Sequence, residues 1–168
     1  IMFSVKKNVL QIVALIKEYG IKHVVVSPGS RNAPLLQTFS QDEAFNCQVI
    51  VDERNAGFHA LGIIQSEKEP VVVCCTSGSA LLNLAPVVAE AYYQQLPLIV
   101  VSADRSQEWI GQMDGQTISQ PGTFGSMVKK SVNLPEIKDD QDEWFCNRLI
   151  NEALITCLID ALGPVHIN

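Results

Sequence analysis

The sequence lacks several motifs that would assign a function directly. It contains no Gly-x-x-x-x-Gly-Lys-Ser/Thr loop, no Gly-x-Gly-x-x-Gly fingerprint and no Gly-x-Ser-x-Gly elbow. These absences disfavour nucleoside triphosphate binding, dinucleotide binding and α/β-hydrolase chemistry. The three histidines, His23, His59 and His166, do not have the spacing of a metal-ligand pair or of a hydrolase triad.

Basic residues are also scarce, with 12 lysines and arginines against 18 acidic residues and a net charge of −6. No cluster of lysine or arginine forms a basic stripe, which argues against nucleic acid as a partner. No apolar run approaches the ~20 residues that a membrane span needs, and no signal-peptide pattern is present. The five cysteines are odd in number and lack Cys-x-x-Cys spacing, so we expect reduced, core-filling thiols in a cytoplasmic protein.

What the sequence does contain is a regular alternation of apolar strands and amphipathic helices. The predicted strands are 23–27, 48–51, 70–76, 97–103, 127–134 and 165–168. The predicted helices are 4–19, 33–39, 55–65, 80–95 with a kink or break near Pro86, and 140–162 with Asp140 in a capping box. This alternation predicts one α/β domain over residues 1–168, with a three-layer αβα arrangement around a mostly parallel sheet of about six strands.

The most informative stretch runs from Gln48 to Phe58. Its apolar, β-branched run from Val49 to Val51 is typical of a buried parallel strand, and the Ala/Gly/Leu-rich segment after it is typical of a helix. Glu53 would then lie at the carboxyl end of a strand, on the turn into the next helix. Open α/β sheets bind ligands there. A solvated charged turn is the alternative interpretation of the same residues.

Arginine is rare and unevenly placed. Three of the four arginines, Arg31, Arg54 and Arg105, follow apolar strands, whereas the eight lysines lie elsewhere. Because a guanidinium grips a carboxylate or phosphate at two points, Arg31 and Arg105 could converge on an anionic small molecule. The alternative is that each pairs with a nearby acid, such as Arg105 with Asp104 or Glu108.

Three further segments have the composition of ligand-binding loops. The small-residue turns Pro28-Gly29-Ser30 and Thr76-Ser77-Gly78-Ser79 follow the first and third strands, and their glycines let a ligand approach the backbone closely. Residues 109–125 are rich in glycine, glutamine and other polar residues, and they are predicted to form a long loop with short helical pieces. Long loops in compact domains are usually functional.

Four motifs in this order carry a resemblance to a known family. They are Ser27-Pro28-Gly29-Ser30-Arg31-Asn32-Ala33-Pro34-Leu35, Asp52-Glu53-Arg54-Asn55-Ala56-Gly57-Phe58, Thr76-Ser77-Gly78-Ser79-Ala80 with Asn83, and Ser102-Ala103-Asp104-Arg105. With them the chain resembles, over essentially its whole length, the N-terminal pyrimidine-binding domain of thiamine-diphosphate enzymes. Within that superfamily it most resembles the 2-succinyl-5-enolpyruvyl-6-hydroxy-3-cyclohexene-1-carboxylate (SEPHCHC) synthases of menaquinone biosynthesis, because the first and last motifs are specific to them.

The resemblance implies a catalytic role for Glu53. This residue matches the glutamate that hydrogen-bonds a ring nitrogen of the cofactor's aminopyrimidine and shares a proton with it. Its neighbours Val51, Ala56 and Phe58 are compatible with the low-dielectric setting that such proton sharing requires.

The resemblance also implies two sets of binding residues. Those at the cofactor are Glu53, Pro28, Gly29, Thr76, Ser77, Gly78 and Asn83. Those at the isochorismate side of the site are Ser30, Arg31, Arg105 and Gln116. The chain departs from the family at Gly115, where relatives often have asparagine, and at Ser106, where proline is common, so one amide contact is in doubt.

The activity implied by the resemblance is a decarboxylation followed by a carbon–carbon bond formation. Synthases of this family decarboxylate 2-oxoglutarate on thiamine diphosphate and add the succinyl unit to isochorismate. Their diphosphate- and Mg²⁺-binding motif, Gly-Asp-Gly with a downstream asparagine, belongs to a later domain and is absent from this sequence. We therefore expect this chain to be inactive alone and the full-length enzyme to be a homodimer or homotetramer. Two alternatives are another thiamine-diphosphate carboligase, such as an acetolactate-synthase relative, and a non-catalytic α/β module that binds a small anion.

Overall fold

The structure is a computed structural model that describes residues 4–168. Its strands are β1 (His23–Val26), β2 (Asn46–Val49), β3 (Val71–Cys75), β4 (Leu98–Ser102), β5 (Lys130–Val132) and β6 (Val165–Ile167). Its helices are α1 (Lys7–Glu18), α2 (Ala33–Gln41), α3 (Glu53–Glu67), α4 (Ser79–Leu82), α5 (Ala85–Tyr93) and α6 (Asp140–Leu158). All strand pairings are parallel, in the order β2-β1-β3-β4-β6-β5, which confirms the predicted parallel α/β sheet.

Helices cover both faces of the sheet, because each central strand is apolar on both sides. Along β3, Val72 and Cys74 pack into the core on one face, and Val73 and Cys75 pack into the core on the other. The first core is completed by α1, α2 and α6, and the second by α3, α4 and α5. The three predicted layers are therefore present.

The second strand differs from the prediction. β2 was expected to be buried over residues 48–51, but it runs from Asn46 to Val49 at the edge of the sheet and pairs with β1 alone. Val51, beyond its end, is 80% exposed, and Val49 is also exposed. An edge strand has a neighbouring strand on one side only, so this apolar run is partly exposed to solvent within residues 4–168.

Helix ends follow local capping signals with small shifts from prediction. Gly20, at a φ of +71°, follows α1 in the left-handed conformation that commonly ends a helix. The start of α1 is Lys7 rather than Ser4. For α6, the carboxylate of Asp139 accepts the hydrogen bond that caps the helix, so the predicted cap at Asp140 was wrong by one residue.

Two predicted helices are shorter than expected or divided. The predicted helix 80–95 is broken into α4 and α5 just before Pro86. Proline favours such a break because it has no backbone N–H to donate to the preceding turn. α6 ends at Leu158 rather than Leu162. Of the helices in residues 4–168, none combines the length and apolarity that a membrane crossing requires.

Two glycines of α3 lie in opposite surroundings. A Cβ atom at Gly57 would come within 2.5 Å of Cγ1 of Val87 on α5, whereas a Cβ atom at Gly62 would meet nothing within 4 Å. Gly57 therefore lets α3 pack closely against α5. Gly62 has no such packing role within the described chain.

We expect Gly57→Ala to lower the free energy of unfolding by about 1–2 kcal/mol. Val87 is stiff at χ1 and has to move, and this overpacking outweighs the helix-propensity gain of about 1 kcal/mol. Gly62→Ala, the matched control in the same helix, should gain about 0.5–1 kcal/mol because the propensity term acts alone. Urea unfolding of both variants measures the difference, and a stabilised Gly57→Ala would contradict the close α3–α5 contact.

Candidate functional site

The candidate site lies at the edge of the sheet where β2, β1, β3 and β4 end. The segments that leave these strands carry, in that spatial order, Glu53, Arg31, Thr76 and Arg105. From β1 the chain moves outward to β2 and then returns to β3 on the other side of β1, so the strand order reverses between β1 and β3. Open α/β sheets bind ligands in the crevice beyond such a reversal.

The two small-residue turns contact each other in this crevice. A Cβ atom at Gly29 would lie 2.4 Å from Cβ of Thr76, so only a glycine lets the first turn lie against the second. Gly78 has φ +78° and ψ −140°, a conformation that is essentially restricted to glycine, and its amide donates a hydrogen bond to Oε1 of Gln120 at 2.7 Å. Glycine is therefore required at both turns, at position 29 for lack of space and at position 78 for the backbone conformation.

Arg31 ties these turns to the long loop. Its guanidinium donates to Oγ of Ser77 at 2.7 Å, to the carbonyl of Gln116 at 2.8 Å and to the carbonyl of Gly115 at 3.0 Å. Oγ of Ser77 in turn donates to the same Gln116 carbonyl at 2.9 Å. The main chain of Gln116, rather than its exposed side chain, therefore holds the loop in the site.

Arg105 lies beside Arg31, and Asp114 joins the two. Nε and Nη2 of Arg105 lie 2.6 Å and 2.5 Å from Oδ2 of Asp114, and Nη2 of Arg31 lies 3.5 Å from the same oxygen. The hydrogen bond from Arg105, helped by the positive charges of both arginines, lowers the pKa of the Asp114 carboxyl. The structure thus brings the two predicted arginines together, with a carboxylate of the protein between them.

Asp114 is neither of the two acids that the sequence suggested as partners for Arg105. Asp104 and Glu108 were the candidate acids for Arg105, but within residues 4–168 neither carboxylate forms an ion pair with its guanidinium. The Arg105 guanidinium also lies 5.5 Å from the ring centroid of Trp109, in a cation–π contact. Asp114 had one signal in the sequence, since it is the only charged residue between positions 110 and 125.

Glu53 opens α3 and is half-buried. Asp52 caps the helix by accepting a hydrogen bond from the amide of Asn55 at 2.8 Å, and the Glu53 carboxylate makes no hydrogen bond or ion pair within residues 4–168. The negative charge of Glu53 contributes to the raised pKa of the Cys75 thiol at the end of β3, behind the larger effects of burial and of Cys74. A half-buried carboxylate is therefore available to a ligand.

The expected apolar niche around Glu53 is only partly formed. Ala56 is buried, but Val51 is exposed and Phe58 is 44% exposed. The described residues therefore supply one wall of a low-dielectric pocket.

The remaining residues that were predicted to bind the cofactor differ in their exposure and in their hydrogen-bond partners. Oγ1 of Thr76 is buried and has no hydrogen-bond partner among the described residues. The amide of Asn83 donates to the carbonyl of Ser79 at 3.0 Å, at the end of α4. Pro28 and Ser30 are exposed. A half-buried carboxylate at Glu53 and an unpartnered hydroxyl at Thr76 are groups that can hydrogen-bond an aminopyrimidine ring, whereas the space beside Gly29 and Gly78 is filled by Thr76 and Gln116.

Sequence reasoning also missed Gln120, which is buried behind the site. Its Nε2 donates to the carbonyl of Ala103 at 3.0 Å and to Oδ1 of Asn168 at 2.7 Å, while Oε1 accepts from Gly78. Gln120 thereby connects the turn after β3 with the segment after β4. A glutamine in a polar loop carries no local sign of such burial.

A buried polar network continues from Gln120 beneath the site. Oγ of Ser102 lies 2.7 Å from Nε2 of His166 and donates to Oδ1 of Asn168 at 2.7 Å. The amide of Asn168 donates to Asp104 and to Asn133, both at 2.7 Å. Burial lowers the pKa of His166 to about 4, so its imidazole is neutral at pH 7. Among residues 4–168, no three His, Cys, Asp or Glu side chains are grouped to hold a metal ion.

Comparison with known proteins identifies the family. The family model described as "Thiamine pyrophosphate enzyme, N-terminal TPP binding domain" matches residues 8–123, which include every candidate site residue. Curated relatives named 2-succinyl-5-enolpyruvyl-6-hydroxy-3-cyclohexene-1-carboxylate synthase are similar to nearly the whole chain. Those of Phocaeicola vulgatus and Bacteroides thetaiotaomicron are each 59% identical over 167 residues, which is 99% of this chain and 30% of the relative.

A more distant relative with the same name, from Desulfotalea psychrophila, is 50% identical over 151 residues, or 89% of this chain and 28% of the relative. The chain therefore spans about 30% of the length of the curated relatives it matches. With a family match over more than half of its residues and a parallel α/β fold to accompany it, the chain belongs to the family of N-terminal TPP binding domains of thiamine pyrophosphate enzymes.

Proposed function

We propose that this chain is the pyrimidine-binding N-terminal domain of a SEPHCHC synthase. The observation that carries the proposal is the 59% identity to synthases of that name over 99% of the chain. The full-length enzyme decarboxylates 2-oxoglutarate and adds the succinyl unit to isochorismate. The chain alone is inactive, because the residues that hold the diphosphate and Mg²⁺ belong to a later domain.

The charges at the site suit these substrates. Both 2-oxoglutarate and isochorismate are dicarboxylates, and a guanidinium binds a carboxylate through two parallel hydrogen bonds. Arg105 lines a cavity of about 710 Å³ together with Pro34, Leu35 and Ile110. A carboxylate of isochorismate binds at Arg105, while the apolar side chains contact its ring. The exposed side chains of Ser30 and Gln116 complete this side of the site.

The task of this chain toward the cofactor is to hold its aminopyrimidine end. When bound, thiamine diphosphate supplies the nucleophilic carbon that attacks the keto group of 2-oxoglutarate. Glu53 holds a proton against a ring nitrogen, which requires a carboxyl that no other side chain occupies. The hydroxyl of Thr76 would hydrogen-bond the ring, and Gly29 and Gly78 let the two turns and the Gln116 main chain pack closely enough to form this part of the site.

The exposed apolar residues near Glu53 support an assembly with another polypeptide. Val51, Phe58, Leu82 and Tyr93 are exposed around α3, α4 and α5. Apolar surface of this kind often marks an interaction site. In the homodimer or homotetramer that we propose, the partner subunit covers this surface and closes the niche around Glu53.

The test is to join the chain to its natural C-terminal remainder and assay the purified enzyme. With thiamine diphosphate and Mg²⁺, we expect 2-oxoglutarate to be consumed and isochorismate to be converted, whereas the 168-residue chain alone shows no turnover. Condensation of pyruvate instead would favour an acetolactate-synthase-like carboligase. Absence of both turnover and cofactor binding would favour a non-catalytic anion-binding module.

Arg105→Lys in the full-length enzyme should raise KM for isochorismate about tenfold with little change in kcat. A lysine keeps the positive charge but loses the two-point contact with a carboxylate. Steady-state kinetics at saturating 2-oxoglutarate measure the effect. Arg54→Lys is the matched control, because Arg54 is exposed on α3 and contributes to no contact in the site. An unchanged KM in Arg105→Lys would remove Arg105 from substrate binding.

A further inference from the structure

Asp114 occupies the part of Arg105 that a ligand carboxylate would use. Nε and Nη2 form one edge of the guanidinium, and both point to Oδ2 of Asp114 at 2.6 Å and 2.5 Å. Two-point recognition of a carboxylate uses such an edge. Within residues 4–168, the guanidinium has no other acceptor, apart from its contact with the ring of Trp109.

The loop that carries Asp114 does not depend on this ion pair for its position. Arg31 holds the loop through the carbonyls of Gly115 and Gln116 and through Ser77, at 2.7–3.0 Å. Its separation from Asp114 is longer, 3.5 Å, and adds little to the anchoring. Removing the charge of Asp114 therefore releases Arg105 without releasing the loop.

The pair is also accessible to a ligand from solution. The side chains of Arg105 and Asp114 are 36% and 26% exposed, and Arg105 lines the cavity of about 710 Å³. Asp114 is the only charge between positions 110 and 125, so no neighbouring acid in that segment duplicates its effect. An anion that enters the cavity meets a guanidinium whose charge is already compensated.

We propose that Asp114 is an internal competitor that sets how tightly Arg105 binds a carboxylate ligand. The identity of that ligand rests on the function proposed above. A ligand carboxylate replaces Asp114 at Nε and Nη2, and the energy of the broken pair is subtracted from its affinity. Asp114 thereby makes binding of the anionic substrate weaker and more easily reversed than two free arginines would.

The test compares Asp114→Asn with Glu108→Gln in the full-length enzyme. Isothermal titration with isochorismate, in the absence of 2-oxoglutarate, should give a Kd about fivefold lower for Asp114→Asn than for wild type, the upper range for a solvent-accessible ion pair. Glu108→Gln removes the same charge from an exposed residue that lines the same cavity but contacts no guanidinium, so it controls for the charge of the cavity alone, and its Kd should stay within about twofold. KM for isochorismate should fall in Asp114→Asn, whereas KM for 2-oxoglutarate should not.

An unchanged or weaker affinity in Asp114→Asn overturns the proposal, and so does equal tightening in Glu108→Gln. If no variant binds isochorismate, inorganic sulfate is the second probe. Its binding is followed by the fluorescence of Trp109, which is obtained by subtracting the fluorescence of the Trp109→Phe variant. A larger sulfate response in Asp114→Asn than in wild type then supports the role of Asp114 while the proposed substrate fails. An equal sulfate response overturns the role of Asp114 itself.

Discussion

We expect Glu53→Gln to lower the turnover of the full-length enzyme at least about 100-fold, the usual effect of losing an acid–base group. The glutamine amide keeps the size and the hydrogen-bonding capacity of the side chain, but it cannot take up and return a proton. Because the Glu53 carboxylate has no partner within residues 4–168, the substitution breaks no contact that holds the fold. The measurement is kcat at saturating cofactor and both substrates.

The matched control is Asp52→Asn, one residue earlier. It removes the same charge, but Asp52 caps α3 through the amide of Asn55, so its loss acts on stability. We expect Asp52→Asn to cost about 1 kcal/mol or less of unfolding free energy, since asparagine is also a good cap, and to keep turnover within about threefold. Turnover near wild type in Glu53→Gln would remove Glu53 from the mechanism.

Acid should destabilise the fold through His166 by up to about 3 kcal/mol. Burial lowers the pKa of His166 to about 4 in the folded state, against 6.5 for an ordinary histidine. Between these values the unfolded chain binds a proton that the folded chain does not, so stability falls as the pH is lowered from about 6.5 to about 4. Above pH 6.5 this histidine contributes no further change. Urea unfolding at a series of pH values measures the slope.

Other groups titrate in the same range, so the contribution of His166 is the difference between wild type and His166→Gln. The glutamine is uncharged at all these pH values and can still hydrogen-bond Ser102, so the variant should show a flatter pH profile. His59→Gln is the control, because His59 is exposed on α3. Parallel profiles for wild type and His166→Gln would mean that folding does not lower the pKa of His166.

The order of strands and helices could be predicted because it depends on local patterns. Apolar β-branched runs form β1, β3 and β4, and Pro86 divides the helix in which it lies. The burial of each helix or strand depends on its neighbours in space, and no local sequence pattern predicts those neighbours. For that reason the run from Val49 to Val51 was expected to be buried, although the sheet ends at β2 and leaves Val49 and Val51 exposed.

The same distinction applies to the site. Glu53, Arg31 and Arg105 could be assigned to one edge of the sheet because each follows a strand. The partners of the arginines could not be assigned, because the loop that supplies them places Met113 and Gln116 at φ +58° and +60°. These positive φ values are uncommon for residues other than glycine, and neither residue type signals them. The backbone carbonyls that Arg31 uses carry no signal in the sequence at all.

The position of β6 in the sheet affects how this domain can fold during its synthesis on the ribosome. β6 comes last along the chain, yet it lies between β4 and β5, and β5 pairs with β6 alone. Until Val165–Ile167 emerge from the exit tunnel, the nascent chain holds β4 with one edge unpaired and β5 with no strand to join. Such an edge is a template for unwanted pairing, so this domain is exposed to mispairing at β4 until β6 has been synthesised.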